Sequence, residues 1–397
     1  MKITRIATTP VTVPMIAPLR WSMGVETGTT RTLIRLHTDE GIVGLGETYG
    51  GAATVAAIKM AEPLLVGEDP LEVGRIWQKF TVFRCSYESH VPLHVFGGLE
   101  IACWDAAGKA LGRPVASLLG GATRRSLPFA AYVFFRYPDE QGRHEVATPV
   151  QMIESAAVLV AAHGFQTLKV KGGVLPPAEE VRAVRLLRER FGPQMRIRFD
   201  PNAAWSVETA IRFGRQLAEL DLEFLEDPTW NIEGMSQARR DVPLPFATNM
   251  CVVNWPDIAP AVRLRAVDII LGDVHYWGGL SANRRLAGVC ETFQLGFSLH
   301  SDRELGISTA AMLHFASATP YAKYALDSHY HDQAADVITQ PFGYADGEMA
   351  LPSGPGLGVS LDAERVEKYH RYWQEHGEVS EVYDPRRPGW IPDLPVF

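Results

Sequence analysis

The sequence predicts an α/β fold, a (β/α)8 barrel preceded by a smaller α+β module. Three observations carry this. Eight short apolar runs recur along the second part of the chain: Pro128–Val133, Thr167–Lys171, Ile197–Asp200, Leu222–Glu226, Phe246–Asn249, Ile269–Asp273, Phe297–His300 and Tyr321–Asp327. Amphipathic helical stretches such as Ala178–Arg190 and Ser206–Leu220 lie between them, which is the alternation of a parallel barrel. Seven runs end on a polar residue, namely Lys171, Asp200, Glu226, Asn249, Asp273, His300 and Asp327. In such a barrel the carboxyl ends of the strands meet at one mouth, so these distant residues converge.

A barrel takes about 250 residues, and the chain has 397. The surplus lies mostly at the front. Ile3–Val13 alternates as a strand does, and Thr32–His37 and Ile42–Thr48 flank the turn Thr38-Asp39-Glu40-Gly41, which reads as a hairpin. Helical patterns follow at Ala52–Leu65, Leu71–Phe80 and Leu93–Leu111. Gly120-Gly121 and Arg124-Arg125 mark the end of this module, giving 1–125 as the first domain and 126–350 as the barrel. Residues 351–397 form a closing segment: a Gly/Pro-rich stretch at Pro352–Gly358, a helix over Leu361–His376 and an extended tail from Asp384 to Phe397 that returns to the first module.

With 38 Lys and Arg against 46 Asp and Glu, the net charge is −8, which argues against a nucleic-acid partner. An anionic substrate would need a local cationic site. The cysteines Cys85, Cys103, Cys251 and Cys290 show no zinc spacing and read as reduced thiols of a cytoplasmic protein. The N-terminus alternates and lacks a signal core, and no apolar run is long enough to span a membrane.

Asp200, Glu226 and Asn249 close three consecutive runs and offer only oxygen, which suits a hard divalent cation, Mg²⁺ first. Singly, each reads as a helix cap or surface charge. Lys169 and Lys171 are two apart in a strand and share one side. There each ammonium lowers the other's pKa, which would fit Lys171 to act as a base; otherwise the pair bonds acidic neighbours. Asp273 and His300 close two further runs, and an Asp on one ring nitrogen fixes the tautomer of the imidazole. Ser206 reads as a helix cap. A metal, a lysine and a His–Asp pair in one mouth suit removal of a proton beside a carboxylate, with the metal stabilising the charge that develops.

The motifs LKVKGGV (Leu168–Val174), FDPNAAWS (Phe199–Ser206), LEDP (Leu225–Pro228), ATNM (Ala247–Met250), DVHYW (Asp273–Trp277), LHSD (Leu299–Asp302) and LDSHY (Leu326–Tyr330) carry a likeness that extends over nearly the whole chain. In them the sequence resembles the enolase superfamily, and within it the glucarate dehydratase group of mandelate racemase-like two-domain enzymes. The resemblance implies a modified TIM-type barrel under an N-terminal capping domain, and a homo-oligomer. It implies Mg²⁺ held by Asp200, an acid after the fourth run and Asn249, with Lys171 and His300 as bases and Asp273 behind His300. Lys169, Asn202, Tyr132 and His329 resemble substrate-contacting positions. The implied reaction is dehydration of an acid sugar, aldarate or aldonate, to a 2-keto-3-deoxy acid.

Three departures mark this chain. The acidic ligand is either Glu226 or Glu233, with Glu226 favoured. Asp302 stands where the group has Asn, adding a negative charge at the substrate. The segment Arg20–Thr30 departs from the group's pattern; it is expected as a loop over the substrate, with Arg20 either gripping a distal carboxylate or standing as a surface charge. Two other readings compete with the hydro-lyase: a racemase or epimerase using the same two bases, and a silent sugar-acid binding protein.

Overall fold

The computed structural model describes residues 1–81, 92–379 and 382–397; Cys85 lies outside them. Strands β1 (Ile3–Trp21) and β2 (Gly24–Thr38) form one long antiparallel hairpin, and β3 (Val43–Tyr49) pairs with β2. The expected turn closes β2 onto β3, with Gly41 at φ 77°. The segment expected as a loop, Arg20–Thr30, is the far end of the β1–β2 hairpin, with Arg20 opposite Val25 and Trp21 opposite Gly24. Its sequence is rich in Gly and Thr and carries little apolar alternation, so the partner strand fixes its conformation. The ladder is interrupted between Pro14 and Leu19, where Met15–Pro18 oppose Thr27 alone. Such a bulge bends the strand, and beyond it lies the hairpin tip.

Helices α1 (Ala52–Leu65), α2 (Val73–Thr81) and α3 (Leu93–Ala110) follow, and a short α4 (Val115–Leu118) ends the module. In α1 the buried residues Thr54, Ile58, Ala61 and Leu65 recur at helical spacing. Helix α3 lies directly on β3: a Cβ at Gly44 or Gly46 would strike the carbonyl of Ala102 or Gly98.

In the barrel, β4 (Ser126–Pro128) precedes β5 (Ala131–Val133) and β6 (Phe135–Arg136). The units α5 (Pro149–His163), β7 (Thr167–Lys171), α6 (Pro177–Phe191), β8 (Arg196–Asp200), α7 (Val207–Ala218) and β9 (Phe224–Glu226) then alternate. They continue through α8 (Asn231–Asp241), β10 (Phe246–Thr248), α9 (Trp255–Leu264), β11 (Ile269–Gly272), α10 (Leu280–Phe293), β12 (Gly296–Leu299) and α11 (Gly306–Ser317). Among the described residues the parallel sheet runs β5-β7-β8-β9-β10-β11-β12, seven strands and not eight. The expected last run, Tyr321–Asp327, contributes only its end. Ala322 is turned back toward Thr319, and Arg124 binds the Ala322 carbonyl at 2.6 Å. Only Ala325–Asp327 reaches the sheet. There Leu326 donates to Pro128 at 2.8 Å, and Asp327 donates to Leu299 at 3.3 Å, closing the ring between β5 and β12.

The first expected run also divides. Ser126–Pro128 pairs with β13 (Glu348–Ala350), and Ala131–Val133 enters the barrel. Strand β6 pairs with β1, joining the N-terminal sheet to the barrel. Ser206 caps α7 by accepting from the Thr209 amide, as expected. Helix α12 (Ala363–His376) packs on β1, with His370 Nδ1 2.7 Å from the Pro10 carbonyl. The tail departs from expectation at its end. Val396 and Phe397 donate to the Ala204 carbonyl at 2.8 and 2.9 Å, so these residues lie on a barrel loop and not on the N-terminal module.

Candidate active site

Alternation along β7 turns Leu168 and Val170 toward the surrounding helices and Lys169 and Lys171 into the barrel. Lys171 Nζ is 2.6 Å from Asp200 Oδ2. Lys169 is fully buried and reaches Glu226 and Asp327, both at 2.7 Å, and lies 3.8 Å from Asp200. The expectation that the two lysines depress each other fails at Lys169. Burial works against its charge, but Asp327, Glu226 and Asp200 overrule it and raise its pKa above the ordinary value. Tyr132 stands over this ammonium, with its ring centroid 4.7 Å away and its hydroxyl donating to Asp327. Lys169 and Tyr132 therefore support the site from below and do not line its cavity.

Asp200, Glu226 and Asn249 end or follow β8, β9 and β10. Glu226 Oε1 lies 3.2 Å from Asn249 Nδ2, and Asp200 Oδ1 accepts from the Asn202 amide at 2.8 Å. Asp227 accepts from the Asn249 amide at 2.8 Å and the Thr248 hydroxyl at 2.6 Å, which holds the turn after β10. Among the described residues no three His, Cys, Asp or Glu side chains form a metal cage, so a cation here depends on the Asn249 amide as third donor. The oxygen-only set fits a hard cation, and the protein already places the Lys169 ammonium against it. Glu233 is exposed on the first turn of α8, apart from this set.

Opposite stands His300, one residue beyond β12. Its Nδ1 is 3.2 Å from Asp273 Oδ2, which leaves Nε2 for the cavity. Tyr49 donates to the same Asp273 oxygen at 2.8 Å, and the amides of His275 and Tyr276 donate to the other at 2.6 and 2.9 Å. Burial pushes the Asp273 pKa up, but the His300 hydrogen bond and further partners hold it below its ordinary value. The carboxylate stays ionised behind the imidazole. His329 Nδ1 lies 3.2 Å from Ser301 Oγ, and burial with Arg303 nearby keeps its pKa well below the ordinary value, so it is neutral.

A cavity of about 190 Å³ joins these groups. Of the residues expected from the sequence, Lys171, Asn202, Asn249, His300, Asp302 and His329 line it. Asp200, Glu226, Lys169, Tyr132 and Asp273 lie behind the lining. Arg20 is elsewhere: its guanidinium covers the Tyr137 ring at 4.7 Å, beside Asp384 and Arg387 of the tail. In a strand, side chains two apart share a face, and the tip geometry sends Trp21, Met23 and Glu26 to the cavity in its place.

Several groups here had no signal in the sequence. Tyr49 arrives from β3 of the other module. Tyr276 lies parallel to His300 and donates to Asp302 at 2.9 Å. Arg198, fully buried in the barrel, binds Asp327 at 3.0 Å and Glu223 at 2.6 Å and so fixes the acid that holds Lys169. A buried Arg in an apolar run is the one clue the sequence held.

Comparison with known proteins agrees with this architecture. Residues 3–120 match the mandelate racemase / muconate lactonizing enzyme N-terminal domain, and residues 151–366 match the enolase C-terminal domain-like family. The chain is 37% identical to a probable glucarate dehydratase of Streptomyces coelicolor, over 94% of this chain and 92% of that one. It is 28% identical to muconate cycloisomerase 1 of Rhodococcus opacus, over 94% and 99%. A crystal structure of an enolase from Thermobispora bispora, complexed with magnesium and formate, superposes with a TM-score of 0.93 at 38% identity and covers 100% of both chains. The chain therefore belongs to the enolase superfamily, with a mandelate racemase / muconate lactonizing enzyme N-terminal domain set before an enolase C-terminal domain-like barrel.

Proposed function

We propose that this protein is a Mg²⁺-dependent hydro-lyase that dehydrates an acid sugar, aldarate or aldonate, to a 2-keto-3-deoxy acid. One observation carries the reading: Lys171 and an Asp273-backed His300 open onto the same cavity as Asn249, directly over the carboxylates of Asp200 and Glu226. Asp200, Glu226 and Asn249 would hold the cation, which supplies stabilisation of the charge that develops on the substrate carboxylate. The chain's own groups move the protons. One of Lys171 Nζ and His300 Nε2 takes the proton from the α-carbon, and the other gives a proton to the departing β-hydroxyl, which leaves as water. The enol that results becomes the keto acid. Asp273 stabilises the imidazolium while His300 carries the proton. Asn202, Asp302 and the neutral His329 line the space left for the sugar hydroxyls. The name of the Streptomyces coelicolor relative supports the dehydratase reading.

On this reading residues 1–125 act as the cap, 126–350 as the catalytic barrel and 351–397 as the segment that ties them, in a cytoplasmic homo-oligomer acting on a small carboxylate. Among the described residues no helix is long and apolar enough to cross a membrane. The test is incubation with Mg²⁺ and a library of acid sugars in D₂O, with semicarbazide detection of keto acid. Keto acid formation with deuterium at C3, the carbon that lost its hydroxyl, supports dehydration. Exchange of the α-proton with no keto acid transfers the assignment to epimerisation.

A further inference from the structure

Tyr49 closes β3, and its hydroxyl crosses from the cap to the barrel. It donates at 2.8 Å to Asp273 Oδ2, the same oxygen that faces His300 Nδ1 at 3.2 Å. The other Asp273 oxygen accepts the His275 and Tyr276 amides at 2.6 and 2.9 Å, which orients the carboxylate independently of Tyr49. The phenol ring is held on several sides. The Arg31 guanidinium stands over it at 4.2 Å, and the rings of His275 and Tyr276 lie 4.8 and 4.9 Å away. Thr54 donates to the Tyr49 carbonyl at 2.7 Å. Glu47, two residues back on the same face of β3, accepts from Leu305 and Ser308 at the start of α11 and so anchors the strand end to the barrel. Burial, then Asp273 and Tyr276, hold the Tyr49 pKa well above its ordinary value, so the phenol stays a donor throughout the neutral range. His300 lines the 190 Å³ cavity, whereas Tyr49 lines a neighbouring cavity of about 450 Å³ with Gly50 and His94. Tyr49 therefore acts on His300 through Asp273.

We propose that Tyr49 is a positioning residue for the His300–Asp273 pair: its hydroxyl, donated from the cap to the oxygen that faces His300, limits how firmly Asp273 holds the imidazolium. A hydrogen bond to a carboxylate stabilises its charge and makes that oxygen a weaker partner for a neighbouring cation. Without the phenol, more of the charge on Oδ2 falls to His300. The imidazolium is then held harder, and His300 becomes a stronger base and a weaker acid. His300 is also faced by the parallel ring of Tyr276 at 6.3 Å, and by Asp302 and His329, with Lys171 across the cavity. Arg31 and Arg303 act on Asp302 in turn. All of these are common to the wild type and a Tyr49 variant, so the comparison isolates the phenol. The inference rests on the reading of His300 as a proton-transfer group and adds the cap residue that regulates it.

The experiment follows the His300 ring nitrogens by NMR across pH, in substrate-free protein with Mg²⁺ present and its histidines labelled with ¹⁵N. The His300 signals are assigned by their loss in His300→Asn. Tyr49→Phe removes one oxygen and keeps the ring under Arg31. It should move the His300 titration to higher pH by about 0.5 unit or more, a fraction of the roughly 1–3 units that a neighbouring opposite charge supplies. In an Asp273→Asn background the carboxylate charge is gone, and the same substitution should cause no displacement. A merely structural role for Tyr49 would act alike in both backgrounds. With an acid sugar that is turned over, the limb of the kcat profile governed by His300 should move with the NMR titration while KM stays at the wild-type value. An unmoved titration in Tyr49→Phe, or an equal displacement with and without the Asp273 carboxylate, overturns the proposal. A displaced titration in a protein that turns over no acid sugar keeps the Tyr49 link and removes the dehydratase reading, so the two failures are distinct.

Discussion

His300 shows how much one residue depends on its partners. Asp273 holds its Nδ1 and is itself held by three further donors, so the imidazole has one orientation and one nitrogen to offer. On the proposed mechanism His300→Asn removes one proton-transfer group and Lys171→Ala removes the other. Each should lower kcat about 100-fold or more on at least one epimer, the usual size of a general acid–base contribution, with folding unchanged by circular dichroism. Wild-type keto acid production in the double variant would remove both from the chemistry. On the proposed mechanism Asn249 supplies the third oxygen to the cation, so Asn249→Ala should weaken Mg²⁺ binding at least about tenfold, since even an outer-shell loss costs that much. Calorimetric titration of Mg²⁺ into the substrate-free protein reads this without any turnover. Equal affinity in wild type and variant would take Asn249 out of the metal set.

At the scale of elements, strands β7 to β12 were legible because barrel strands present apolar residues outward and polar residues at the mouth. The result is a short apolar run with a chemical end, such as Ile269–Gly272 before Asp273. The Lys, Asp, Glu, Asn and His of the site were legible for the same reason. The hairpin tip was not, because its Gly and Thr carry no period and its direction is set by a bulge some distance back in β1. The contacts of Tyr49, Tyr276 and Arg303 were hidden too, since nothing local says which loop a distant side chain will meet. Arg198 was hidden by a different cause, its strand being read for apolar pattern alone. It is a cation that holds the ring-closing stretch Ala325–Asp327, through the Ala325 carbonyl at 3.0 Å and Asp327 at 3.0 Å. Arg198→Met leaves Asp327 and Glu223 short of a partner inside the barrel. Breaking a buried pair in this way costs about 3–5 kcal/mol, which urea unfolding should register. A variant as stable as the wild type would show that Lys169 alone satisfies Asp327.

Across the whole molecule, the cap and barrel are joined by buried acids as well as by apolar packing. Glu47 of β3 accepts from Leu305 at 2.8 Å and Ser308 at 3.1 Å at the start of α11. Glu100 of α3 accepts from the Leu280 amide and from Ser281 at 3.2 Å at the start of α10. Each carboxyl ties a cap element to a helix N-terminus of the barrel, where donors have no partner within the helix. Burial pushes the Glu100 pKa up to about 7, against the opposing pull of its hydrogen bonds from Ser281 and Leu280. In the unfolded chain it returns to the ordinary carboxylic acid value of 4.5. Between those two values the folded state holds a proton that the unfolded state has released. The contribution of Glu100 is therefore complete below the unfolded value and lost as pH rises toward the folded one. Glu100→Gln keeps an acceptor and cannot ionise. From pH 4.5 to pH 7.5 the wild type should lose on the order of 2–3 kcal/mol relative to this variant. Other buried acids, Glu47 among them, titrate alike in both proteins and cancel in the difference. Urea unfolding of the pair across this range measures it, and parallel pH profiles would mean that Glu100 is ionised in the folded protein and held by the α10 N-terminus as a carboxylate.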